Sequence, residues 1–477
     1  MKKQLLILSA ATCILFYNKT TAQQNQNTIN NPANNSSSIR QPECATKYPG
    51  IAWENAFQLD IAKYQKNLDN NRGVQATYLI PVIVHVLYNG STEATVGTGA
   101  NVKAGQIQAQ IDVLNEAFAG NTPGNANLPT PFANVDADDI TIRFCLATIG
   151  KNGNTLTEPG IDRIDWKAKG WNSVTTVDGN NIDTYYDGTV KPSTIWDPTK
   201  YFNIWIGDFF TNSGGIIGYA KFPASSTLQN NFGSLIGSSQ NDGVVMATKC
   251  FGNVTKFAAG YYAPGYNNGE FSYGITTVHE VGHWLGLQHI SGDASCGNDY
   301  CSDTPPQSGG NKGCANGLNW GCPSYPFQAN KCSGNPNGEM FMNYMDYTGD
   351  RCRSLFTANQ ETRMMTAMLN SPNRKLLGST NLCSSTVGLT ETNNAYNLTV
   401  FPNPNNGIFN ISFNVTEKAT LKLELKNVLG QTVYKEELTD FMGAYSKQIN
   451  VAEYVKGIYL MSLTNSKNET VKKIIVY

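Results

Sequence analysis

The sequence has little charge, few histidines and no apolar run long enough to cross a bilayer. Only 15% of its 477 residues are charged and the net charge is −1, so no basic field exists that would hold nucleic acid or an anionic membrane surface. A membrane-spanning helix needs about 20 apolar residues. We therefore expect neither a nucleic-acid partner nor a transmembrane protein, and a chain of this length predicts two or three domains.

The first 22 residues have the composition of a secretory signal peptide. Lys2 and Lys3 precede the apolar run LLILSAATCILFY, and small residues near Ala22 suit a cleavage site. A membrane anchor is the alternative, but the run is too short to span. Residues 23–40 are rich in Asn, Gln and Ser, which predicts a disordered spacer.

The apolar pattern after this spacer predicts a mixed domain of strands and helices. Apolar side chains recur at helical spacing over residues 52–68, namely Trp53, Phe57, Ile61 and Tyr64. Residues 78–90 form a β-branched apolar run that predicts a strand, and residues 102–120 have helical periodicity. Further short strands are predicted for ITIRFCLAT, YFNIWIGDF and NDGVVMATKCFG.

The C-terminal part of the chain has a different character. Residues 379–397 are polar and predict a linker. Residues 398–477 alternate apolar and polar side chains between turn signals such as NPNNG and NSKN. About seven short strands in this segment predict a small all-β sandwich.

Three of the four histidines lie in the stretch HEVGHWLGLQH. On a helix, His279 and His283 lie one turn apart on the same face, so one ion can bind both. Gly286 can adopt the left-handed conformation that ends a helix, which lets the chain turn back and bring His289 to the same ion. Three neutral imidazoles leave a fourth tetrahedral position open, as catalytic zinc sites do. The sequence therefore predicts one catalytic zinc ion.

Glu280 lies beside the histidine face and is poorly placed to bind the same ion. A metal-bound water has its pKa lowered from about 15.7 to about 7, and a nearby carboxylate can take its proton as the water attacks a carbonyl. The same carboxylate can then pass the proton to the leaving amine. We therefore predict peptide-bond hydrolysis with Glu280 as general base. His85, in the predicted strand, is expected to be structural.

The full pattern HExxHxxGxxH resembles the metzincin clan of zinc endopeptidases. Met345, in NYMDYTGDRC, lies where this clan has its Met-turn beneath the zinc ligands. Together with SDTPPQ and LFTANQETRMM, these motifs resemble the pappalysin/cytophagalysin family. The resemblance implies an α+β catalytic domain with a mixed sheet, a backing helix and an active-site helix. It also implies a metalloendopeptidase that acts on proteins or peptides.

The same resemblance implies roles for individual residues. Tyr347 matches a tyrosine that stabilises the oxyanion of the reaction, although a packed core tyrosine is the alternative. Asp299, Asp303 and Thr304 in NDYCSDTPPQ match a loop that binds calcium in relatives, and oxygen ligands are what calcium prefers. Cys301 departs from the aliphatic residue usual in that loop, so a plain acidic loop is the alternative.

The chain has eleven cysteines, and Cys13 lies in the predicted signal peptide; in an exported protein the others are candidates for disulfide bonds. Six of them lie close together in the sequence between residues 296 and 352, and the pairing does not follow from the sequence alone. A second zinc site made of thiolates is the alternative, but CxxC spacing is missing. The resemblance implies the pairs Cys296–Cys332 and Cys322–Cys352, and it leaves Cys301 and Cys314 as a possible extra pair. Cys145, in ITIRFCLAT, is predicted to be a free thiol in the core.

Cys44, in PECATK, lies in the predicted prosegment, residues 23–77. The resemblance implies that such a cysteine blocks the open zinc position, so that the enzyme is made as a latent zymogen. A disulfide partner or an inert thiol is the alternative. Cleavage between the prosegment and the catalytic domain, residues 78–378, would then activate the enzyme, and Arg72 is a candidate cleavage site.

The C-terminal motifs FPNPNNGIFNISF, LKNVLGQTVY, GIYLMSL and KKIIVY resemble the type A sorting domain of bacterial type IX secretion. The resemblance implies that residues 398–477 engage the type IX machinery and direct export through the periplasm and outer membrane. The protein would then be secreted or held at the cell surface. A carbohydrate-binding or adhesive sandwich is the alternative, but the sequence has no evident aromatic platform.

Two other functions fit parts of the sequence. A surface adhesin on a decayed protease fold would retain the architecture, but binding alone needs no base such as Glu280. A zinc hydrolase acting on a small amide or a glycan-linked peptide would retain the whole site, and long and short substrates would distinguish it. Some relatives favour basic residues after the scissile bond, but the sequence does not establish that preference here.

Overall fold

The computed structural model describes residues 43–70, 77–177, 180–209, 215–225, 233–262, 270–311, 322–379, 382–383, 398–401, 403, 405, 407–427, 431–454, 457–465 and 469–476. The predicted signal peptide, the disordered spacer, Arg72, Cys314 and most of the predicted linker lie outside the described residues. None of the helices in these ranges combines the length and apolar character that crossing a bilayer requires.

The helices and strands are numbered here in chain order. The helices are α1 (Ile51–Asn70), α2 (Ala104–Phe118), α3 (Thr130–Ala133), α4 (Ile182–Tyr185), α5 (Lys191–Thr194), α6 (Ile275–Trp284) and α7 (Ala358–Asn370). The strands are β1 (Glu43–Cys44), β2 (Tyr78–Tyr88), β3 (Ile142–Leu146), β4 (Ile161–Asp165), β5 (Phe202–Gly207), β6 (Ile216–Ala220), β7 (Val244–Ala247), β8 (Thr399–Phe401), β9 (Ile408–Asn427), β10 (Thr432–Asn450), β11 (Gly457–Thr464) and β12 (Glu469–Val476).

The first seven strands form one mixed sheet with the order β1-β6-β7-β5-β2-β3, and β4 also pairs with β2. Strand β2 is central: it pairs in parallel with β5 on one edge, and with β3 and then β4 on the other. Its residues are buried on both faces, as expected for a strand inside a parallel sheet covered on both sides. Strand β6 runs antiparallel to β7, and β1 lies parallel to β6 at the sheet edge. The predicted mixed sheet is confirmed.

Helices α2 and α6 contribute to the same apolar core, which also includes one face of the sheet. The two helices are joined by the buried side chain of Gln110 in α2. Its amide oxygen accepts hydrogen bonds from Gly252 N (2.8 Å) and Thr277 Oγ1 (2.9 Å), and its amide nitrogen donates to Gly274 O (2.9 Å). Helix α2 is therefore the backing helix of α6, which carries the HExxH motif.

Helix α1 occupies the range that apolar spacing predicted, with a difference of one or two residues at each end. Trp53, Phe57 and Ile61 pack against Phe222, Ile236 and Ala367, which follow much later in the chain. The short strand β1 precedes this helix and extends the large sheet. The segment before residue 78 is thus packed onto the sheet and helix α7.

The C-terminal all-β region is confirmed, but its strands are fewer and longer than expected. Strands β8 to β12 form one five-stranded antiparallel sheet. Strand β9 pairs with β8 near its start and with β11 near its end, while β10 follows it along both parts. The register of β10 shifts between residues 438 and 443, where Asp440 and Gly443 have positive φ. Each long strand therefore bends and takes the place of two short ones.

Alternating side chains along β9 all contribute to one core. The buried positions of β9 have the same parity before and after the bend, from Phe409, Ile411, Phe413 and Val415 to Leu421, Leu423 and Leu425. Residues of β10, β11 and β12 complete this core. An alternating pattern predicts which face is buried, but it does not distinguish a turn from a bend.

The prediction that Cys145 is a free thiol is wrong, because Cys145 forms a disulfide with Cys383. Strand β3 lies at the edge of the sheet, where its side chains can reach a segment from elsewhere in the chain. Thr148 donates hydrogen bonds to Leu382 O from its backbone nitrogen (2.8 Å) and from its hydroxyl (3.2 Å). Residues 382–383, which fall within the predicted linker, are therefore attached to the large sheet.

Two further disulfides join Cys296 to Cys332 and Cys322 to Cys352. Both belong to the loop-rich stretch between α6 and α7. Cys301 is a buried thiol that forms no disulfide with a described residue, and Cys314, its possible partner, lies outside the described residues. The loops that follow the HExxH helix are thus held by covalent bonds as well as by packing.

Candidate active site

Helix α6 and the turn after it bring three histidines together. His279 and His283 lie on the buried helix. The helix ends in a Schellman motif, in which Leu287 N donates to Gly282 O (3.0 Å) and Gly286 N donates to His283 O (2.9 Å). Gly286 adopts the positive φ of 94° that this motif requires. The chain therefore reverses, and His289 returns to the other two histidines as the sequence predicts.

The Nε2 atoms of the three imidazoles converge. His283 Nε2 lies 3.1 Å from His279 Nε2 and 3.0 Å from His289 Nε2. Ligand nitrogens about 2.0–2.1 Å from a tetrahedral zinc ion would be separated by about 3.3 Å. The observed separations therefore suit three ligands of one small cation.

The Nδ1 atom of each histidine faces a hydrogen-bond acceptor. His279 Nδ1 lies 2.8 Å from Tyr344 O, and His283 Nδ1 lies 2.7 Å from Leu287 O. His289 Nδ1 lies 2.5 Å from Asp293 Oδ1. Each Nδ1 therefore carries the proton, which leaves the Nε2 lone pair as the metal-binding atom.

The electrostatics of the three rings also fit a cation. Burial, followed by the neighbouring imidazoles, lowers the pKa of His279 well below its ordinary value, and burial lowers that of His283 to about 3. Three neutral rings whose lone pairs face one another at 3 Å repel unless a positive charge lies between them. The residues present therefore fit zinc, which is the metal that three imidazoles and an open position select.

Glu280 lies next to the histidine cluster and is fully buried. Its Oε2 accepts a hydrogen bond from Thr46 Oγ1 (2.9 Å), whereas its Oε1 has no hydrogen-bond partner among the described residues. Burial raises the pKa of Glu280 to about 7. A carboxyl group with a pKa near neutrality can both accept and donate a proton at physiological pH.

Met345 lies in a tight turn directly beneath α6. Asp346 N donates to Asn343 O (3.1 Å), and Met345 N donates to the side chain of Asn343 (2.9 Å). The sulfur of Met345 packs so close to Gly282 that a Cβ at residue 282 would lie 2.4 Å from it. The turn also supplies Tyr344 O to His279, so it orients one imidazole as well as supporting the helix.

Tyr347 leaves the same turn with its hydroxyl 3.0 Å from His289 Nε2. Its ring packs against the imidazole of His289, with centroids 4.7 Å apart. The structure therefore places the phenol beside the point where the three Nε2 atoms meet. A hydroxyl at this position can donate to an oxygen that approaches the same point.

Cys44 approaches the histidine cluster from strand β1. Its Sγ and one nitrogen of each of His279, His283 and His289 all lie within 4.8 Å of one another. The sulfur also lies 3.5 Å from Glu280 Oε2. Pairing with β6 positions this segment, since Ala45 N donates to Gly218 O (2.9 Å). The cysteine of the segment before residue 78 is therefore brought to the site.

Thr46 is a site residue that the sequence did not reveal. Its hydroxyl donates to Glu280 Oε2 and accepts a hydrogen bond from Ala220 N (2.8 Å) at the edge of β6. Asp293, which orients His289, was also missed. A lone threonine or aspartate in a loop carries no spacing signal, although the four-residue distance from His289 to Asp293 is a clue in retrospect.

The residues of the predicted calcium loop are engaged in different ways. Asp303 accepts hydrogen bonds from Thr357 Oγ1 (2.7 Å) and Asn359 N (2.8 Å), so it caps the start of α7. Thr304 donates to Asp299 Oδ1 (2.8 Å). Asp299 is buried, and its Oδ2 has no hydrogen-bond partner in the described part of the chain. Burial raises the pKa of Asp299 to about 7.

His85 takes no part in the histidine cluster. It is fully buried in β2, with Nδ1 2.9 Å from Asp162 and Nε2 2.9 Å from Asn203. Its ring stacks on Trp205. Both nitrogens are therefore used in the interior of the sheet, as expected for a structural histidine.

Two parts of the sequence match known families. Residues 254–369 match the model of the family described as pregnancy-associated plasma protein-A. Residues 399–477 match the model of the secretion system C-terminal sorting domain. The first match contains α6, the Met-turn and most of α7, and the second covers the C-terminal all-β region.

Individual relatives are also similar over much of the chain. An extracellular metalloprotease of Sordaria macrospora is 31% identical over 306 residues, which are 64% of this chain and 80% of the relative. An extracellular metalloprotease of Colletotrichum graminicola is 29% identical over 333 residues, 69% of this chain and 91% of the relative. Mature mirolysin from Tannerella forsythia, solved in complex with a cleaved peptide, is 34% identical, with coverage of 65% of this chain and 100% of that chain and a TM-score of 0.48. A promirolysin point mutant from the same organism is 33% identical, with coverage of 68% and 92% and a TM-score of 0.49.

Proposed function

The chain belongs to the pappalysin family of extracellular metalloproteases, and from that premise we propose how its residues hydrolyse peptide bonds and how they are kept latent. It is a zinc-dependent metalloendopeptidase that a C-terminal sorting domain directs to the cell surface or the medium. The observation that carries the mechanism is the convergence of three Nε2 atoms at 3.0–3.1 Å beside a buried glutamate.

His279, His283 and His289 would hold the catalytic zinc ion. When bound, zinc polarises the scissile carbonyl and lowers the pKa of water, which is the chemistry that peptide hydrolysis needs. The hydrogen bonds from each Nδ1 orient the rings and hold the tautomer that leaves Nε2 free. The protein thereby supplies a preorganised ligand set with one position open for the reaction.

Glu280 acts as the general base and then as the general acid. It takes a proton from the attacking water and passes it to the amine of the leaving peptide. Its Oε1 has no hydrogen-bond partner among the described residues, so this oxygen is free to accept the proton of the water. Gly218 in β6 leaves room for this carboxylate, since a Cβ there would lie 3.0 Å from Glu280 Oε1.

Tyr347 stabilises the negative charge that develops on the carbonyl oxygen. Its hydroxyl is 3.0 Å from His289 Nε2, so it can donate to an oxygen close to the same point. Phenylalanine at this position would keep the ring packing and remove the donor. Tyr347→Phe should therefore lower kcat more than it raises KM.

Residues 23–77 form a latency-conferring prosegment. Cys44 lies beside the histidine nitrogens, and Thr46 donates to Glu280, so the segment covers both the metal ligands and the base. A thiolate in the open zinc position would exclude the catalytic water. Cleavage between this prosegment and residues 78–378 would expose the site.

A calcium ion near Asp299 is a further part of the proposal. A buried carboxylate oxygen without a hydrogen-bond partner is unfavourable, and a bound cation would offset that cost. Asp303 is occupied at the start of α7, so Asp299 is the principal candidate ligand of the loop.

The catalytic proposal is tested with the activated protein, a denatured protein substrate and a zinc chelator. Wild-type hydrolysis should stop with chelator, and Glu280→Ala should lower kcat by about 10²-fold or more while the protein retains one zinc ion. Glu116→Ala, which removes a surface partner of Lys256, is the control and should leave activity unchanged. Activity that is absent in the wild type, or that survives both treatments, would contradict the proposal. A preference for short amides over protein would identify a small-amide hydrolase instead.

Latency is tested separately in the uncleaved chain. Cys44→Ala should hydrolyse substrate before the prosegment is removed, because the sulfur no longer reaches the zinc position. Lys47→Ala, which alters an exposed ion pair of the same segment, is the matched control and should stay latent. A Cys44→Ala protein as latent as the wild type would count against the cysteine switch.

A further inference from the structure

The three imidazoles of the histidine cluster differ in the groups that orient them. His279 and His283 lie on helix α6, and their Nδ1 atoms donate to backbone carbonyl oxygens at 2.8 and 2.7 Å. His289 lies beyond the end of the helix, and its Nδ1 donates to a side chain, the carboxylate of Asp293 (2.5 Å). One ring of the three is therefore oriented by a group that carries a full negative charge.

The backbone of the turn after His289 directs this carboxylate to the imidazole. Gly292 N donates to His289 O (2.8 Å), and both Gly292 and Asp293 are left-handed, with φ values of 61° and 54°. A Cβ on Gly292 would lie 2.5 Å from Asn298 N, so this position requires glycine. Aspartate is one of the few residues with a side chain that adopt the left-handed conformation readily. The conformation of the turn and the residue types at 292 and 293 therefore agree.

Contacts on the C-terminal side of the turn hold it in place. Cys296, three residues after Asp293, forms a disulfide with Cys332, and Cys296 N donates to Gln307 O (2.7 Å). The side chain of His289 is only 4% exposed, whereas that of Asp293 is 49% exposed. The position of the Asp293 carboxylate therefore depends on the turn and on the imidazole rather than on burial.

We propose that Asp293 is a positioning residue of the metal site, and that its carboxylate strengthens zinc binding through His289. The inference rests on the proposed peptidase function and adds a residue that acts through one of the ligands. A carboxylate that accepts the Nδ1 proton fixes the tautomer and the orientation of the ring, and it makes Nε2 a more basic ligand. The backbone carbonyl oxygens that face His279 and His283 orient those rings without a full charge. The ligand that lies outside the helix thus receives the strongest support.

The test measures the zinc affinity of the activated protein by competition with a chromophoric chelator, because this form lacks Cys44 as an additional ligand. Asp293→Asn keeps an oxygen that can accept the Nδ1 proton and removes the charge, whereas Asp293→Gly removes both. Asparagine and glycine also tolerate the left-handed conformation. The dissociation constant for zinc should rise about 10–100-fold in Asp293→Gly and by a smaller factor in Asp293→Asn.

Two further measurements separate this role from a general disturbance of the site. At saturating zinc, the KM of both variants for a peptide substrate should equal that of the wild type, because Asp293 acts on the metal ligand and not on the substrate. The matched control is Asp138→Asn, which makes the same substitution at an exposed aspartate with a similar φ of 52° in the loop before β3. Its zinc affinity should equal that of the wild type.

Wild-type zinc affinity in either Asp293 variant would overturn the inference and leave the peptidase function intact, since the carboxylate would then add nothing to metal binding. A KM that rises as much as the dissociation constant for zinc would overturn it as well, because the substitution would then disturb the whole site. Failure of the wild type to bind zinc would instead contradict the proposed function. If Asp293→Gly does not fold, Asp293→Asn decides the question, because asparagine has the same size and backbone preference as aspartate.

Discussion

Two glycines of the active site have no room for a side chain. A Cβ on Gly282 would lie 2.4 Å from Met345 Sδ, and a Cβ on Gly218 would lie 2.9 Å from Met246 Sδ and 3.0 Å from Glu280. The first distance sets how closely α6 approaches the Met-turn, and the second sets how closely Glu280 approaches strand β6. At the scale of single residues, the positions of the histidines and of Glu280 thus depend on glycines that leave room for their neighbours.

Gly282→Ala should destabilise the protein by about 1–3 kcal/mol, because the added methyl group overpacks the contact with Met345. Activity should fall as well, since His279 and His283 flank this position. Urea denaturation and hydrolysis of a denatured protein measure the two effects.

Gly188→Ala is the matched control. A Cβ at residue 188 meets nothing within 4 Å, and the residue lies in a helical turn, where alanine is preferred over glycine. This variant should be neutral or slightly more stable. Equal stability of both variants would show that Met345 yields easily to the added methyl group.

Asp299 gives a prediction about pH. Burial raises its pKa in the folded protein to about 7, above the value of 3.8 for an unperturbed aspartate. The Asp299 carboxyl group binds its proton more tightly in the folded protein than in the unfolded one. It therefore contributes its full stabilisation at pH values below 3.8, and this contribution is lost as the pH rises to about 7. When a calcium-selective chelator is present, Asp299→Asn should therefore have a higher free energy of unfolding than the wild type at pH 8. The difference between the two proteins should disappear near pH 4.

If Asp299 is a calcium ligand, added calcium should make the wild type more stable than Asp299→Asn at pH 8. Added calcium should raise the Tm of the wild type at pH 8 and leave that of Asp299→Asn unchanged. Asp112→Asn, at an exposed side chain on α2, is the control and should respond to calcium as the wild type does. A calcium response that is equal in all three proteins would place the ion elsewhere.

At the scale of elements, helix α1 contacts the active-site turn through Glu54 and Phe57, and Gln288 Nε2 in this turn donates a hydrogen bond to Glu54 Oε2 (3.3 Å). Glu54 of α1 makes a buried bidentate pair with Arg363 of α7, at 2.6 and 2.9 Å. Arg363 also donates to Gly286 O (3.0 Å), the residue at which the chain turns towards His289. Phe57 lies beneath this guanidinium and packs on Gly286. Helix α1 therefore supports the turn that carries His289.

Glu54→Gln should weaken the attachment of helix α1. Loss of one partner from a buried ion pair costs about 3–5 kcal/mol, because the remaining charge stays buried. The free energy of unfolding of the zymogen should fall, and α1 should become accessible to proteolysis. The activated enzyme should be unchanged, since it lacks residue 54.

The control for this variant is Lys66→Ala, which alters an exposed side chain of the same helix. Substitutions at exposed positions away from special features usually change stability by less than about 0.5 kcal/mol, so this variant should resist proteolysis as the wild type does. An unchanged unfolding free energy in Glu54→Gln would mean that the apolar contacts of Trp53 and Phe57 alone hold the helix.

At the scale of the whole molecule, the apolar interior of the C-terminal segment is separate from the cores around the large sheet. The core of residues 398–476 is made of side chains from that segment, and the catalytic part has its own cores around the large sheet. The C-terminal segment matches a sorting domain, and the segment with α6 matches a peptidase. Export and catalysis are therefore assigned to different parts of the chain.

The disulfide between Cys145 and Cys383 predicts where the chain can be shortened. Truncation after residue 397 should keep the disulfide, peptidase activity and stability, and should abolish export. Truncation after residue 378 should abolish export too, and it should also cost about 2–5 kcal/mol of stability, because Cys145 loses its partner. Thermal unfolding of both proteins, produced under oxidising conditions, measures the difference. Equal Tm values would mean that the disulfide contributes nothing to stability.

Local patterns were sufficient for much of the fold. Helix α1, helix α2 and strand β2 lie close to the predicted ranges, because apolar spacing reports directly on helices and strands that bury one or both faces. The bends of β9 and β10 were not predicted, because apolar and polar side chains keep alternating through each bend. Only the pairing with neighbouring strands shows that each is a single long strand.

The sequence by itself determined the histidine cluster. Positions 279 and 283 share a helix face and Gly286 reverses the chain, so the geometry of a few consecutive residues was enough to predict that His289 returns. Only the tertiary structure decided which distant groups meet there. Thr46 reaches Glu280, and Cys383 pairs with Cys145. Such contacts depend on how sheet, helices and loops pack together, and residues far apart in the chain carry no spacing that would reveal them.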